Sequence, residues 1–89
     1  MRAVVTVTGT DRRGVVAQVS KFLCEKNINI QDMSQTLLGD QFAMIMIVDT
    51  SACETELSAL AVEFEALGKE IGMNIRIQHA DIFDAMHSV

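Results

Sequence analysis

The sequence contains no proline, no tryptophan and no tyrosine, and only 4% of its residues are aromatic. It therefore has few side chains that could stack on nucleic-acid bases. Basic residues are also scarce, because 7 Lys and Arg stand against 12 Asp and Glu, and the net charge of −5 repels polyphosphate. Both shortages argue against a nucleic-acid partner.

Long hydrophobic runs are also missing from the sequence. No stretch of about eighteen apolar residues exists to cross a bilayer, and the first residues lack the apolar segment of a signal peptide. The two cysteines, Cys24 and Cys53, form no CxxC pair, which favours reduced thiols. We therefore expect a cytoplasmic protein without a membrane partner.

The chain is short, with 89 residues of which 49% are hydrophobic. This length predicts one domain over residues 1–89, with a core over about 3–80 and a tail at 81–89. A lone domain of this size buries a modest fraction of its surface. We therefore expect a homodimer or a higher homo-oligomer.

The first half of the chain predicts a strand, a helix and a second strand. β-Branched residues indicate a strand over Ala3–Thr8. Apolar residues at three- and four-residue steps predict a helix over Arg13–Lys26, with Thr10 or Asp11 as its N-cap and Asn27 as its left-handed end. A second strand follows over residues 28–38, with a bulge near Gln31 and Asp32.

The second half repeats this order. Gly39 predicts a two-residue type II′ turn. The strand Phe42–Val48 is apolar at every position, so both of its faces should be covered, which indicates a central strand or part of an interface. Ser51 and Glu54 suggest a capping box for a long helix that ends at Gly72. A fourth strand with one polar face follows, and the tail suggests a short last helix.

The resulting order, βαββαβ, predicts an α+β ferredoxin-like two-layer sandwich. Right-handed crossovers place a four-stranded antiparallel sheet behind two helices that cover one of its faces. The other face is then left to solvent, a ligand or a partner chain.

The segment Gly9–Val16 is the strongest candidate binding site in the sequence. It leads from the first strand into the first helix, where free N–H groups and the helix dipole favour a carboxylate or phosphate. Gly14 leaves the backbone open to a ligand, and Asp11 would either cap the helix or hold an ammonium group. Arg12 and Arg13 could contact anions, although two adjacent arginines cannot share one direction.

Other reactive residues do not assemble into a catalytic or cofactor-binding set. The sequence contains no HExxH, GxGxxG or Walker motif and no supported nucleophile and base. Near the C-terminus, His79, Asp81, Asp84 and His87 could ligate a metal, but a helix would unite only Asp84 and His87. We predict no enzyme activity, no cofactor and no metal site.

Several segments along the chain resemble those of one known protein family. The segments AVVTVTGTDRRGVVAQVSKFL, NINIQDMSQT and NIRIQ resemble an ACT domain, with its DRxG loop and downstream NI step. The tail ADIFDAMHSV is similar to that of the single-domain ACT group UPF0237. Glycine cleavage transcriptional repressors carry similar ACT domains, usually as a tandem pair.

The resemblance implies a regulatory module that binds an amino acid or a related metabolite between two chains. Carried over to this sequence, its ligand contacts are Asp11, Gly14 and Val15 of one subunit and Asn29 and Ile30 of its neighbour. Many ACT domains have Pro before the loop glycine, where this chain has Arg13. The residues alone leave Asn29 open to a second interpretation, as a turn residue that completes the helix end.

Two other functions fit the same layout. A scaffold would bind a protein through the open sheet face or the tail, with no ligand. An acylphosphatase-like hydrolase would use an arginine of the first loop with an asparagine on the third strand, but Phe42–Val48 contains no asparagine. The resemblance and the absent asparagine favour the regulatory function.

Overall fold

The computed structural model of the chain describes residues 1–10 and 13–81. The elements follow one another as β1 (Arg2–Thr10), α1 (Val15–Glu25), β2 (Asn29–Leu38), β3 (Gln41–Asp49), α2 (Leu57–Ile71) and β4 (Asn74–His79). The predicted βαββαβ order is confirmed.

The four strands form one sheet in the order β2-β3-β1-β4, and every neighbouring pair is antiparallel. The central strands are therefore β3 and β1. Thr10 and Leu38 both pair with Gln41, which places the end of β1 and the end of β2 together at what we call the Gln41 end of the sheet. Arg2 and Asn29 both pair with Asp49, which defines the opposite, Asp49 end.

Both helices pack on the same face of the sheet, as the sequence predicts. Because strand side chains alternate between faces, the buried residues of β3 recur at every second position, and in β1 Val4 is buried in addition to the alternating Ala3, Val5 and Val7. The most deeply buried large side chains of the core are Phe64, Leu23, Met44, Met46 and Leu60. The rings of Phe22 and Phe64 lie 4.7 Å apart and join α1 to α2.

Three local predictions are confirmed. The β2–β3 register shifts between Ile30 and Asp32, at the predicted bulge. Leu38 pairs with Gln41, so the connecting turn has two residues, and its first residue, Gly39, has a φ of 63°. Asn27 takes the left-handed conformation after α1, with a φ of 58°.

Both predicted N-caps are wrong. Helix α1 begins at Val15 with Gly14 as its N-cap, because a left-handed turn at Gly14 separates the helix from Thr10. Helix α2 begins at Leu57, since Ser51 instead donates its N–H and its hydroxyl to the Asp49 carboxylate. The capping box therefore does not form.

The third strand is a central strand, as its apolar sequence predicts, but a single chain covers only one of its two faces. Side chains on one face of β3, from Phe42 to Val48, are buried beneath the helices. On the other face Ile47 is half-buried and Ile45 is 43% exposed. A single chain therefore leaves apolar surface of its central strand uncovered.

The predicted tail helix covers residues 81–89, of which 82–89, including Asp84 and His87, lie outside the described residues. Within residues 1–10 and 13–81, no helix is both long and apolar enough to span a membrane.

Candidate functional site at the start of helix α1

The first turn of α1 presents backbone donors at the Gln41 end of the sheet. The first helical hydrogen bond runs from the N–H of Gln18 to the carbonyl of Gly14, at 2.9 Å. The N–H groups of Val15, Val16 and Ala17 precede it and have no carbonyl partner within the helix. Gly14 makes no side-chain cap, and the first turn carries no acidic residue. This helix end therefore offers positive potential to an anion.

A cavity of about 280 Å³, which we call the corner cavity, lies beside this helix end. It is lined by Arg13, Val15, Gln18, Glu70 and Ile71. Val15 and Ile71 border it but are only 3% and 7% exposed, so the accessible lining is mainly the cation, the carboxylate and the amide of the other three residues. Such a lining suits a small zwitterion, because it offers a partner to each of two opposite charges.

Gly14 is needed here for its backbone conformation. Its φ is 82°, in the left-handed region that other residues seldom adopt. A Cβ on this residue would meet no heavy atom within 4 Å, so the space beside Gly14 is open. The position thus allows a ligand to approach the backbone, as the sequence suggests.

The remaining predicted loop residues divide into two groups. Val15 lines the corner cavity, but it is only 3% exposed and belongs to the core, so it offers a ligand mainly its backbone N–H. Asp11 and Arg12 lie outside the described residues. Arg13 is exposed and lines the cavity.

Asn29 and Ile30 lie far from Gly14 in the same chain. They begin β2 at the Asp49 end, whereas α1 begins at the Gln41 end. The eleven residues of α1 separate the two places by about 16 Å along the helix axis. A single chain therefore does not bring the five predicted ligand residues together.

The surroundings of Asn29 and Ile30 differ from one another. Asn29 is exposed, while Ile30 is half-buried and packs against the core. The helix end is completed by Asn27, whose N–H donates to Cys24, and by Ile28, whose N–H donates to Leu23. Asn29 is thus not needed to end the helix.

Sequence reasoning missed Gln18 and Glu70. Gln18 follows Gly14 by one helical turn, so helical spacing alone could have placed it near the helix start. Glu70 lies in the last turn of α2, far away in sequence. Only the packing of α2 beside α1 brings its carboxylate to the cavity.

Two other places merit description. A shallow groove of about 450 Å³ runs between α2 and the outer edge of β4, bordered by Glu65, Lys69 and Arg76. At the end of β4, the Asp81 N–H donates to Nδ1 of His79 at 3.1 Å. The described part of the chain contains no group of three side chains suited to a metal ion.

Comparison with known proteins identifies the fold and the family. The sequence model of the ACT domain family matches residues 2–78, which is most of the chain. The chain belongs to the ACT domain family. The βαββαβ order and the four-stranded sheet are therefore those of an ACT domain, as the resemblance in the sequence implies.

Relatives of this ACT domain include proteins that match it from end to end. A UPF0237 protein from Methanopyrus kandleri is 49% identical over 99% of this chain and 98% of its own length. Among solved structures, an ACT domain protein from Streptococcus pneumoniae has a TM-score of 0.84 and 42% identity, with 94% of each chain covered. A putative glycine cleavage system transcriptional repressor shares the fold, with a TM-score of 0.74 and 22% identity over 86% of this chain and 44% of its own.

Proposed function

We propose that this ACT domain is a non-catalytic regulatory module that binds an α-amino acid or a closely related metabolite between two chains. The observation that supports this most directly is the corner cavity beside the N-terminus of α1. Its volume of about 280 Å³ lies just below the range typical of pockets for drug-sized ligands, so it suits a small metabolite.

The chemistry of the corner matches the two charged groups of an α-amino acid. The ligand carboxylate would accept hydrogen bonds from the first N–H groups of α1, close to the Arg13 guanidinium. The ligand ammonium would face a carboxylate, for which the chain offers Glu70 on the cavity rim and Asp11 in the preceding loop.

A second copy would bring Asn29 and Ile30 to this corner through the free edge of β2. This edge strand has ten residues, is mostly exposed and carries a single charged residue, Asp32. Such an edge is a ready template for another strand. If two copies pair β2 with β2 in antiparallel fashion about a two-fold axis, the start of one β2 lies at the Gln41 end of its partner. The pocket is then built from two chains.

Binding at a shared pocket couples ligand concentration to assembly. A ligand that contacts both chains binds the dimer more tightly than the separate chains, so it lowers the dimer dissociation constant by mass action. The dimer would transmit the amino-acid level to a partner or to an attached process. No catalytic group is required for this role.

The experiment begins with calorimetric titration of the wild-type protein with each common amino acid at millimolar concentration. Two bulky variants then block the two halves of the pocket separately. Gln18→Trp fills the corner cavity from exposed α1 surface, and Asn29→Trp blocks the β2 contribution. Asn74→Trp is the matched control, because it also begins an edge strand and is exposed.

Each blocked variant alone should lose amino-acid binding, and the Asn74→Trp control should keep it. When the two blocked variants are mixed and allowed to exchange subunits, half of the dimers carry one intact pocket. The mixture should recover about a quarter of the wild-type sites. A pocket within one chain predicts no recovery, and the absence of any binding across the amino acids contradicts the proposed function and favours a scaffold.

A further inference from the structure

The face of the sheet that points away from the helices, which we call the open face, has its charges separated by sign. The strand register places Asp32 and Asp49 of β2 and β3 on this face, together with Arg2 and Arg76 of β1 and β4. One half of the open face, the acidic half, therefore carries the two carboxylates and the other, basic half the two guanidinium groups, although Asp49 also lies 3.6 Å from the chain's own Met1 ammonium group. The described strands add no further charged side chain to it.

An apolar strip runs between the two halves. It consists of Ile45, which is 43% exposed, and the half-buried Ile47 on β3, while Val4 beside them on β1 is only 3% exposed. A depression of about 150 Å³ adjoins the strip on the acidic half, between Asp32, Ser34 and the two isoleucines. Apolar surface on a central strand is usually covered in the functional assembly.

We propose that a second copy of the chain covers the open face, with its own open face turned toward the first. The two-fold axis runs parallel to the strands, between β1 and β3. This rotation exchanges the left and right halves of the sheet between the two chains. As a result, β1 of one chain lies over β3 of the partner, and β4 lies over β2 of the partner. The basic half of each chain then covers the acidic half of the other.

The residue pairs that meet are complementary. Ile47 lies over Val4 of the partner subunit, which is only 3% exposed, so the apolar contact comes mainly from the isoleucines of β3. Arg2 faces Asp49 of the partner subunit. Arg76 shares a register row with Ser34, so it faces the partner's Ser34 and the depression beside the partner's Asp32. The opposite rotation, about an axis across the strands, would place like charges together and is disfavoured.

The size of the open face sets the strength of this contact. Four strands about 4.8 Å apart and about 26 Å long cover roughly 500 Å² per chain, or roughly 1,000 Å² in total. That area is near the lower limit for a specific interface, so the association should depend on protein concentration. The contact leaves the β2 edge free, and both contacts together would give an assembly of four chains.

Charge reversal tests this arrangement. Asp32→Lys and Arg76→Glu each place like charges beside one another across the interface, and the double variant restores opposite charges with the signs exchanged. Lys21→Glu is the control, since it makes the same charge change as Arg76→Glu on exposed α1 surface. Sedimentation equilibrium over about 10 μM to about 1 mM chain measures the assembly mass for a contact of this size.

The wild type and Lys21→Glu should double in mass over this range. Each single reversal should weaken the doubling by more than about tenfold, and the double variant should recover it. The proposal is overturned if both single reversals assemble as the wild type does, or if the folded double variant does not recover the doubling in mass. The open face would then have another occupant. Amino-acid binding by calorimetry should persist in Arg76→Glu, which separates this outcome from failure of the proposed function.

Discussion

The backbone of Met73 lies directly against Gly68, because a Cβ built on Gly68 would stand 2.5 Å from the Met73 carbonyl oxygen. The Met73 N–H also donates to the Gly68 carbonyl at 2.8 Å. This close approach seats the last turn of α2 on the start of β4. It thereby fixes where Glu70 and Ile71 reach the corner cavity.

Gly68→Ala should destabilise the fold, although alanine is the better helix former. The added methyl group meets a backbone oxygen, so the helix must shift, at a cost of about 1–3 kcal/mol of unfolding free energy beyond the helix-propensity gain. Urea unfolding followed by circular dichroism measures this loss. Ser58→Ala, on exposed α2 surface, should change little, and a Gly68→Ala variant as stable as that control would contradict the close approach.

Gly14 should tolerate asparagine better than alanine. Its φ of 82° strains an alanine by about 1 kcal/mol or more, whereas asparagine enters the left-handed region readily and its side chain can cap a helix. The free energy of unfolding should therefore follow the order Gly, Asn, Ala. Equal stability of the Asn and Ala variants would argue against a left-handed turn before α1.

Ser51 should control the acidity of Asp49. The Ser51 hydroxyl, and then the Ser51 N–H at 3.0 Å, donate to the Asp49 carboxylate and hold its pKa below the ordinary value of 3.8. A lowered folded-state pKa means that this contribution to stability is present above the unfolded pKa and is lost as pH falls through the folded pKa. Ser51→Ala should raise the Asp49 pKa toward its ordinary value and remove part of that acid dependence.

Carbon-detected NMR titration of the carboxyl group measures the Asp49 pKa directly. Ser58→Ala serves again as the control, since it removes a hydroxyl from exposed surface on another element. An Asp49 pKa that stays the same in Ser51→Ala would show that the hydroxyl contributes nothing to the carboxylate.

The sequence predicts the fold well where local preference and hydrophobic pattern agree. The strand and helix order, the bulge before Asp32, the turn at Gly39 and the left-handed Asn27 were all predictable. Each depends on neighbouring residues in the chain. The N-cap of α2 was mispredicted because Ser51 donates to Asp49 instead, and that of α1 because the backbone turns left-handed at Gly14 directly before the helix.

The candidate site was predictable only in part. Gly14 was predictable because it is a glycine directly before a helix, and the family likeness indicates Val15, Asn29 and Ile30. The sequence did not indicate Glu70, because that residue reaches the cavity through the packing of α2 beside α1. That Asn29 and Gly14 lie at opposite ends of the sheet follows from the strand register, although the family likeness already assigned them to different subunits.

The sequence by itself determined the two βαβ halves, the apolar faces that must be buried and the ACT domain likeness, because alternation and helical spacing are local and repeat along the chain. Tertiary structure alone decided which side chains line the corner cavity and how charge divides across the open face. Both depend on strand register and helix placement, which bring together residues distant in the chain.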